Sequence, residues 1–315
     1  MPLPRLARCA AFALLVAGSA LAGLELVARF GIGLGTPPLS VADPLMEYAF
    51  VPDQAVMRFH NRIAINRYGM RSPDFPPARP VGQRRVLIFG DSVLFGGSTL
   101  NQEEIATSLI ARRLGPGVVV GNVSAGSWGP GNWLGWVRRH GLLNATDVVL
   151  LTSSHDLFDH PTFAPLNPLT HPTSNPPSAA WELWQRYLRP HLPWVEAPPP
   201  SSAASTAASA GSEQRGLDDL TSLVKAAREA GASVVAVQFW ERWELESGQM
   251  RPGHDPQSRL FRRLGVPVLD AGPEMGRCAK ATGASVDALY VDEIHPFTVL
   301  GQRCLAAVLQ RALTP

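Results

Sequence analysis

The stretch Arg84-Arg85-Val86-Leu87-Ile88-Phe89-Gly90-Asp91-Ser92 decides how the rest of the chain is read. An apolar run between an arginine pair and a glycine has the pattern of a strand buried on both faces of a parallel sheet. Ser92 would then stand just past the strand's carboxyl end. Ligands bind at that edge in open α/β sheets, because the loops there vary while the strands hold them in place. Gly-Asp-Ser is also ordinary turn chemistry, so the tripeptide alone says little.

Working outward, residues 102–114 carry Ile105, Leu109 and Ile110 at helical spacing and stop at Gly115-Pro116-Gly117. Val118-Val119-Val120 begins a second strand and runs into a loop that contains Asn122, Ser124, Gly126, Trp128, Gly129, Gly131 and Asn132. So many glycines let backbone N–H groups face a ligand without side chains in the way. Residues 133–140 read as a helix, and 147–152 as a third strand that delivers Ser153-Ser154-His155-Asp156. Residues 217–230 are an amphipathic helix, 234–239 and 266–269 the fourth and fifth strands, and 298–313 a closing helix. Strands and helices alternating at this spacing make right-handed βαβ units. The expected fold is α/β, a three-layer α/β/α sandwich around a central parallel sheet of about five strands, as in flavodoxin-like folds.

Residues 1–33 stand apart from that core. Arg5 and Arg8 precede an apolar run that ends in Ala20-Leu21-Ala22, the charged start, apolar middle and small-residue end of an export signal. Apolar character resumes through Leu24, Leu26 and Val27 to Phe30, enough for a membrane span with Glu25 and Arg29 near its far interface. Cleavage after Ala22 and retention as an inner-membrane anchor are both open. Positive charge ahead of the apolar run places the remainder outside the cytoplasm, in the periplasm, under either fate. Cys278 and Cys304 then lie where a disulfide is permitted, and two separate buried thiols fit equally well.

Residues 34–83 alternate proline-rich loop with short polar runs, including Asn66-Arg67-Tyr68-Gly69-Met70-Arg71, and read as an extended lead-in packed along the domain. The domain itself spans 84–315, interrupted by an insertion at about 159–215. Within the insertion, residues 198–212 are a low-complexity Pro/Ala/Ser segment. Trp181, Trp184 and Trp194 suit sugar stacking or a membrane surface, although aromatic residues at helical spacing more often belong to a core, which is the expectation here.

The 28 basic and 26 acidic residues leave a formal charge of +2 with no basic cluster beyond paired arginines. That gives no reason to expect a nucleic-acid partner. The chemistry sits instead in Ser92 and in Asp292-Glu293-Ile294-His295-Pro296. A serine hydroxyl needs a base that is itself held by a third group. Asp292 and His295, three residues apart on one tight turn, can bring a carboxylate against one imidazole nitrogen and leave the other facing outward.

With these positions in hand, the chain resembles the SGNH (GDSL-type) serine hydrolase and acyltransferase family. The likeness rests on Gly90-Asp91-Ser92, Gly126, and Asp292 with His295. It implies Ser92 as nucleophile, His295 as general base, Asp292 as its orienter, and the N–H groups of Ser92 and Gly126 as the oxyanion hole. The family's third block, Gly-x-Asn-Asp, is replaced here by Ser153-Ser154-His155-Asp156, so His155 is expected in the place of the asparagine donor. Asp91, Trp128, Asn132 and Asp156 are expected to line the substrate. The chemistry so implied needs neither metal nor cofactor. The lead-in with Asn66 and Arg71 is also similar to membrane-attached bacterial members associated with exopolysaccharide acetylation.

The expected function is removal of a small acyl group, acetyl foremost, from a carbohydrate ester. One alternative is an O-acyltransferase that uses the same site on an exopolysaccharide. Another is a non-catalytic carbohydrate-binding component of a polymer-secretion assembly.

Overall fold

The computed structural model describes residues 5–192 and 210–314. Nine strands occur in chain order among them: β1 (Ser40–Asp43), β2 (Glu47–Phe50), β3 (Gln54–Arg58), β4 (Asn61–Ile65), β5 (Arg84–Gly90), β6 (Val118–Ser124), β7 (Asp147–Thr152), β8 (Ser233–Gln238) and β9 (Val268–Asp270). The last five form one sheet in the order β6-β5-β7-β8-β9, with every pairing parallel. The chain leaves β5 for β6 on one side and then returns to β7 on the other, so the strand order reverses at β5. A crevice opens at such a switch point, at the carboxyl end of the strand that Ser92 follows.

Alternation along β5 builds the two faces. Leu87 and Phe89 pack into a cluster with Trp133, Trp136, Leu220 and Leu223. Val86 and Ile88 pack into the opposite cluster with Ile110, Leu305 and Val308. Helices Pro130–His140, Ala210–Glu229 and His254–Arg263 therefore cover one face, and Ala106–Leu114, Gly272–Ala281 and Val299–Leu313 the other. This is the three-layer α/β/α arrangement. Cys278 and Cys304 are joined by a disulfide that ties two helices of the second face together.

Residues 34–83 are more ordered than an extended lead-in. Two antiparallel hairpins, β1–β2 and β3–β4, occupy them. In the first turn, the Asp43 carboxylate accepts the N–H groups of Leu45 and Met46, a local side-chain bond that stands in for a backbone turn. In the second, Phe59 and His60 both adopt positive φ, 48° and 64°, the two-residue geometry that matches strand twist. The first hairpin docks on the helix at Gly135, where a Cβ would come within 2.1 Å of the Leu45 carbonyl oxygen.

The insertion contributes helix Ala179–Glu182, which continues as a wider-wound turn over Leu183–Leu188. Trp181 and Trp184 are exposed on it, not in a core as periodicity led us to expect. Trp194 and most of the 198–212 low-complexity stretch lie outside the described residues. The helix expected from residue 217 begins at Ala210.

Candidate active site

Gly90 ends β5, and the Asp91 carboxylate caps the next turn by accepting the Val93 N–H at 2.8 Å. The cap fixes the short helix Ser92–Phe95 at the sheet edge. Ser92 Oγ lies 2.8 Å from His295 Nε2. The other ring nitrogen, Nδ1, lies 2.7 Å from Asp292 Oδ2. Asp292 Oδ1 accepts the backbone N–H groups of Ile294 and His295 at 2.8 and 2.7 Å. One carboxylate thus holds both the turn and the ring, which is why a three-residue spacing suffices. Burial opposes the charge on Asp292, but the bonds from His295 and Ile294 hold its pKa below the ordinary carboxylate value. Phe297 packs against the imidazole with centroids 4.5 Å apart.

Gly126 faces the same space. Tyr48, on β2, donates its O–H to the Gly126 carbonyl at 2.6 Å and so pins that loop from the hairpin side. A cleft of about 360 Å³ opens here, lined by Ser92 and Gly126 at the sheet edge, Tyr48 and Phe50 from the first hairpin, and His171 and Tyr187 from the insertion. The lead-in and the insertion therefore build walls over the sheet edge.

His155, expected as an oxyanion donor, is held among carboxylates. Its Nδ1 lies 3.1 Å from Glu241 Oε1, and its Nε2 lies 3.5 Å from Asp91 Oδ2 and 3.7 Å from Asp156 Oδ1. Both nitrogens face carboxylates because β7 and β8 deliver His155 and Glu241 side by side at the sheet edge. Partial burial works against the imidazolium, but Asp91, Glu241 and Asp156 outweigh it and push the His155 pKa up to about 12. Burial, reinforced by Asp91, raises the pKa of Asp156 well above its ordinary value and that of Asp159 to about 7. Asp91, His155 and Asp156 present polar side-chain atoms all within 4.8 Å of one another.

The four residues expected to line the substrate are not among those that line this cleft. Trp128 is buried edge-on against Tyr48. Asn132 is buried, bonding the Gly129 N–H and the Met46 carbonyl. Asp156 is buried with Oδ2 on the Ser153 N–H, and Asp91 is taken up by its cap and His155. Aromatic and amide side chains in a glycine-rich loop read as lining because sequence carries no sign of which way they turn. Conversely, Glu241 and Tyr48 were missed. Glu241 stands two residues past the fourth expected strand, 234–239, at the edge where ligands bind, and that position was the available signal; Tyr48 had none.

No family model matches the chain, and no curated protein matches it by sequence. Among solved structures, it is similar to an acetylxylan esterase of Geobacillus stearothermophilus, at 13% identity over 75% of this chain and 96% of that one, with a TM-score of 0.45. It is also similar to a GDSL-like lipase of Bacteroides thetaiotaomicron, at 14% identity over 75% and 91%, with a TM-score of 0.43. An α/β hydrolase from a Lake Arreo metagenome is 14% identical over 73% and 94%, with a TM-score of 0.47.

Proposed function

We propose that this chain is a serine esterase of the SGNH type that removes a small acyl group, acetyl foremost, from a carbohydrate ester. One observation carries the reading: the unbroken relay from Ser92 Oγ through His295 to Asp292, with contacts of 2.8 and 2.7 Å, opening on a cleft at the sheet's carboxyl edge. As His295 Nε2 takes the hydroxyl proton, Ser92 Oγ attacks the ester carbonyl carbon. The resulting oxyanion is met by the N–H groups of Ser92 and Gly126. Collapse expels the sugar alkoxide, which takes the proton back from His295. Water then attacks the acyl-serine by the same route and releases the acid.

His155 has a supporting part in this scheme. Its imidazolium balances Asp91 behind the nucleophile, so no side chain is assigned as a third oxyanion donor. The catalytic unit is residues 84–315, walled by residues 34–83 and by the insertion at about 159–215. The helix over Ala7–Ile32, long and apolar enough to cross a membrane, is assigned as an export signal or anchor that places the unit in the periplasm.

Acyl transfer differs only in the second step, where a sugar hydroxyl replaces water. The test incubates the purified protein with acetylated polysaccharide and measures released acetate, with and without a free sugar acceptor. Acetate release supports hydrolysis. Acceptor-dependent loss of acetate with appearance of acetylated sugar moves the assignment to transfer. No turnover and no labelling of Ser92 by a fluorophosphonate would leave a carbohydrate-binding component.

A further inference from the structure

The insertion helix leaves an aromatic face uncovered while its start is fastened to the apolar N-terminal helix. Trp181 is 50% and Trp184 42% exposed, and Leu188, a turn further on, is exposed as well. The fastening begins one residue before Trp181. Glu25 accepts the N–H of Ala180 at 2.9 Å and that of Ala179 at 3.2 Å. Ala28, Leu34 and Ala179 bury one another, with Ile32, Phe59 and Leu183 packed around them. Glu182 adds bonds to the Gly35 N–H at 2.7 Å and to the Arg58 guanidinium at 2.7 and 2.8 Å. The end of the apolar helix and the start of the tryptophan helix are therefore held as one piece.

The 26 residues of Ala7–Ile32 reach about 39 Å at a helical rise of about 1.5 Å, against roughly 30 Å of hydrocarbon in a bilayer. A span that enters at Ala7 leaves its surplus at the carboxyl end. That surplus, residues 27–32, holds Arg29, which pairs at 2.8 Å with Glu25 just inside its edge, and Phe30, which is 68% exposed. Through its bonds to Ala179 and Ala180, Glu25 holds the start of the tryptophan helix beside that end of the apolar helix. Tryptophan is enriched at that level of a bilayer, because its ring is apolar and its N–H is polar.

We infer that the exposed face of residues 179–188, Trp181 and Trp184 foremost, rests in the headgroup region of a phospholipid bilayer spanned by the first helix. This rests on the anchor reading of that helix and is independent of the ester chemistry. A soluble carbohydrate could also cover such a face, but its continuity with the apolar helix through Glu25 favours the bilayer. Tyr187 and Arg186 of the same segment line the cleft that holds Ser92, so the cleft opens beside the membrane surface.

The test reconstitutes the full chain into phosphatidylethanolamine–phosphatidylglycerol vesicles, plain or carrying bromine near the headgroup end of the acyl chains as a contact quencher of indole. Co-sedimentation with the vesicles is read on the same samples. Brominated lipid is expected to quench tryptophan emission, and the W181F/W184F double variant to lose most of that quenching. Trp243→Phe, which removes an exposed tryptophan of another helix, is expected to keep it. A chain that co-sediments but is quenched equally in wild type and double variant overturns the proposal and leaves the anchor standing. A chain that does not co-sediment overturns both. Unchanged quenching in the double variant, combined with an oligosaccharide-induced emission shift that the double variant lacks, assigns the face to carbohydrate instead.

Discussion

His155 and Glu241 come from the ends of paired neighbouring strands, and the imidazole Nδ1 of one stands 3.1 Å from the carboxylate of the other. Arg251 reaches the second Glu241 oxygen at 3.0 Å, and Ser154 Oγ donates to the first at 3.0 Å. Glu241 is thereby held below its ordinary pKa: burial opposes its charge, and the contacts from His155, Ser154 and Arg251 outweigh burial.

The first prediction follows from the His155 value. Its pKa of about 12 in the folded chain exceeds the value of about 6.5 expected when unfolded. A group raised on folding contributes fully below the unfolded pKa and progressively less as pH rises toward the folded one. Stability contributed by His155 should therefore fall steadily as pH rises above about 6.5 and go on falling toward the folded value of about 12. Asp159, raised to about 7, pulls the same way up to neutrality. Denaturant melts should show this decline in the wild type and a flatter profile in His155→Asn. Equal slopes in the two proteins would remove the imidazolium from the account.

The second prediction separates members of the relay. Ser92→Ala should lower kcat by about five to six orders of magnitude, because no other group can carry the acyl intermediate. Asp292→Ala should cost roughly 10- to 100-fold less, since orienting a base matters less than supplying a nucleophile. Circular dichroism melts of Ser92→Ala should match wild type. Wild-type-like turnover by this variant would sink the mechanism.

The parts legible from sequence are those written in contiguous residues. β5, β7 and the first three residues of β6 are largely branched apolar side chains, and the Asp292–His295 pairing closes within one turn. The parts that were not legible depend on distant meetings. Arg58 and Glu182 are separated by 124 positions and yet form a bidentate pair, and each alone reads as a solvated charge. The second hairpin was lost because Phe59 and His60 carry positive φ without the glycine or asparagine that normally marks such a turn. The tryptophans kept a helical period, but a period does not reveal which face the protein covers.

The third prediction concerns that buried pair. Arg58 and Glu182 are both almost fully enclosed, and they join the second hairpin to the insertion behind the cleft wall. Removing one partner strands the other charge, which typically costs about 3–5 kcal/mol. Glu182→Ala should lose stability of that order, measured by urea denaturation. It should also raise KM more than it lowers kcat, because Arg58, Arg186 and Tyr187 line the cleft while the Ser92–His295 contact lies elsewhere. A fall in kcat alone would place the pair in the chemistry itself.

The last prediction turns on Arg71, which ends the Asn66–Arg71 run of the lead-in. Its side chain is fully buried, and burial, partly offset by Glu103, lowers its pKa to about 9. The guanidinium donates to the carbonyls of Phe95 at 2.9 Å and Leu100 at 2.7 Å, and also to that of Gly97. It therefore gathers the loop that leaves the nucleophile's short helix, and Phe95 and Gly97 of that loop line the cleft. A planar fork with five donors suits three divergent carbonyls, whereas an ammonium on a flexible stem cannot reach them together. Each buried carbonyl left unmatched costs about 1–3 kcal/mol. Arg71→Ala should thus lose at least about 3 kcal/mol by urea denaturation, and Arg71→Lys should recover only part of it. Protection of the 95–100 amides in hydrogen exchange should fall in both variants ahead of the sheet amides. Full stability in Arg71→Lys would show that charge alone, and not the fork, holds the loop behind Ser92.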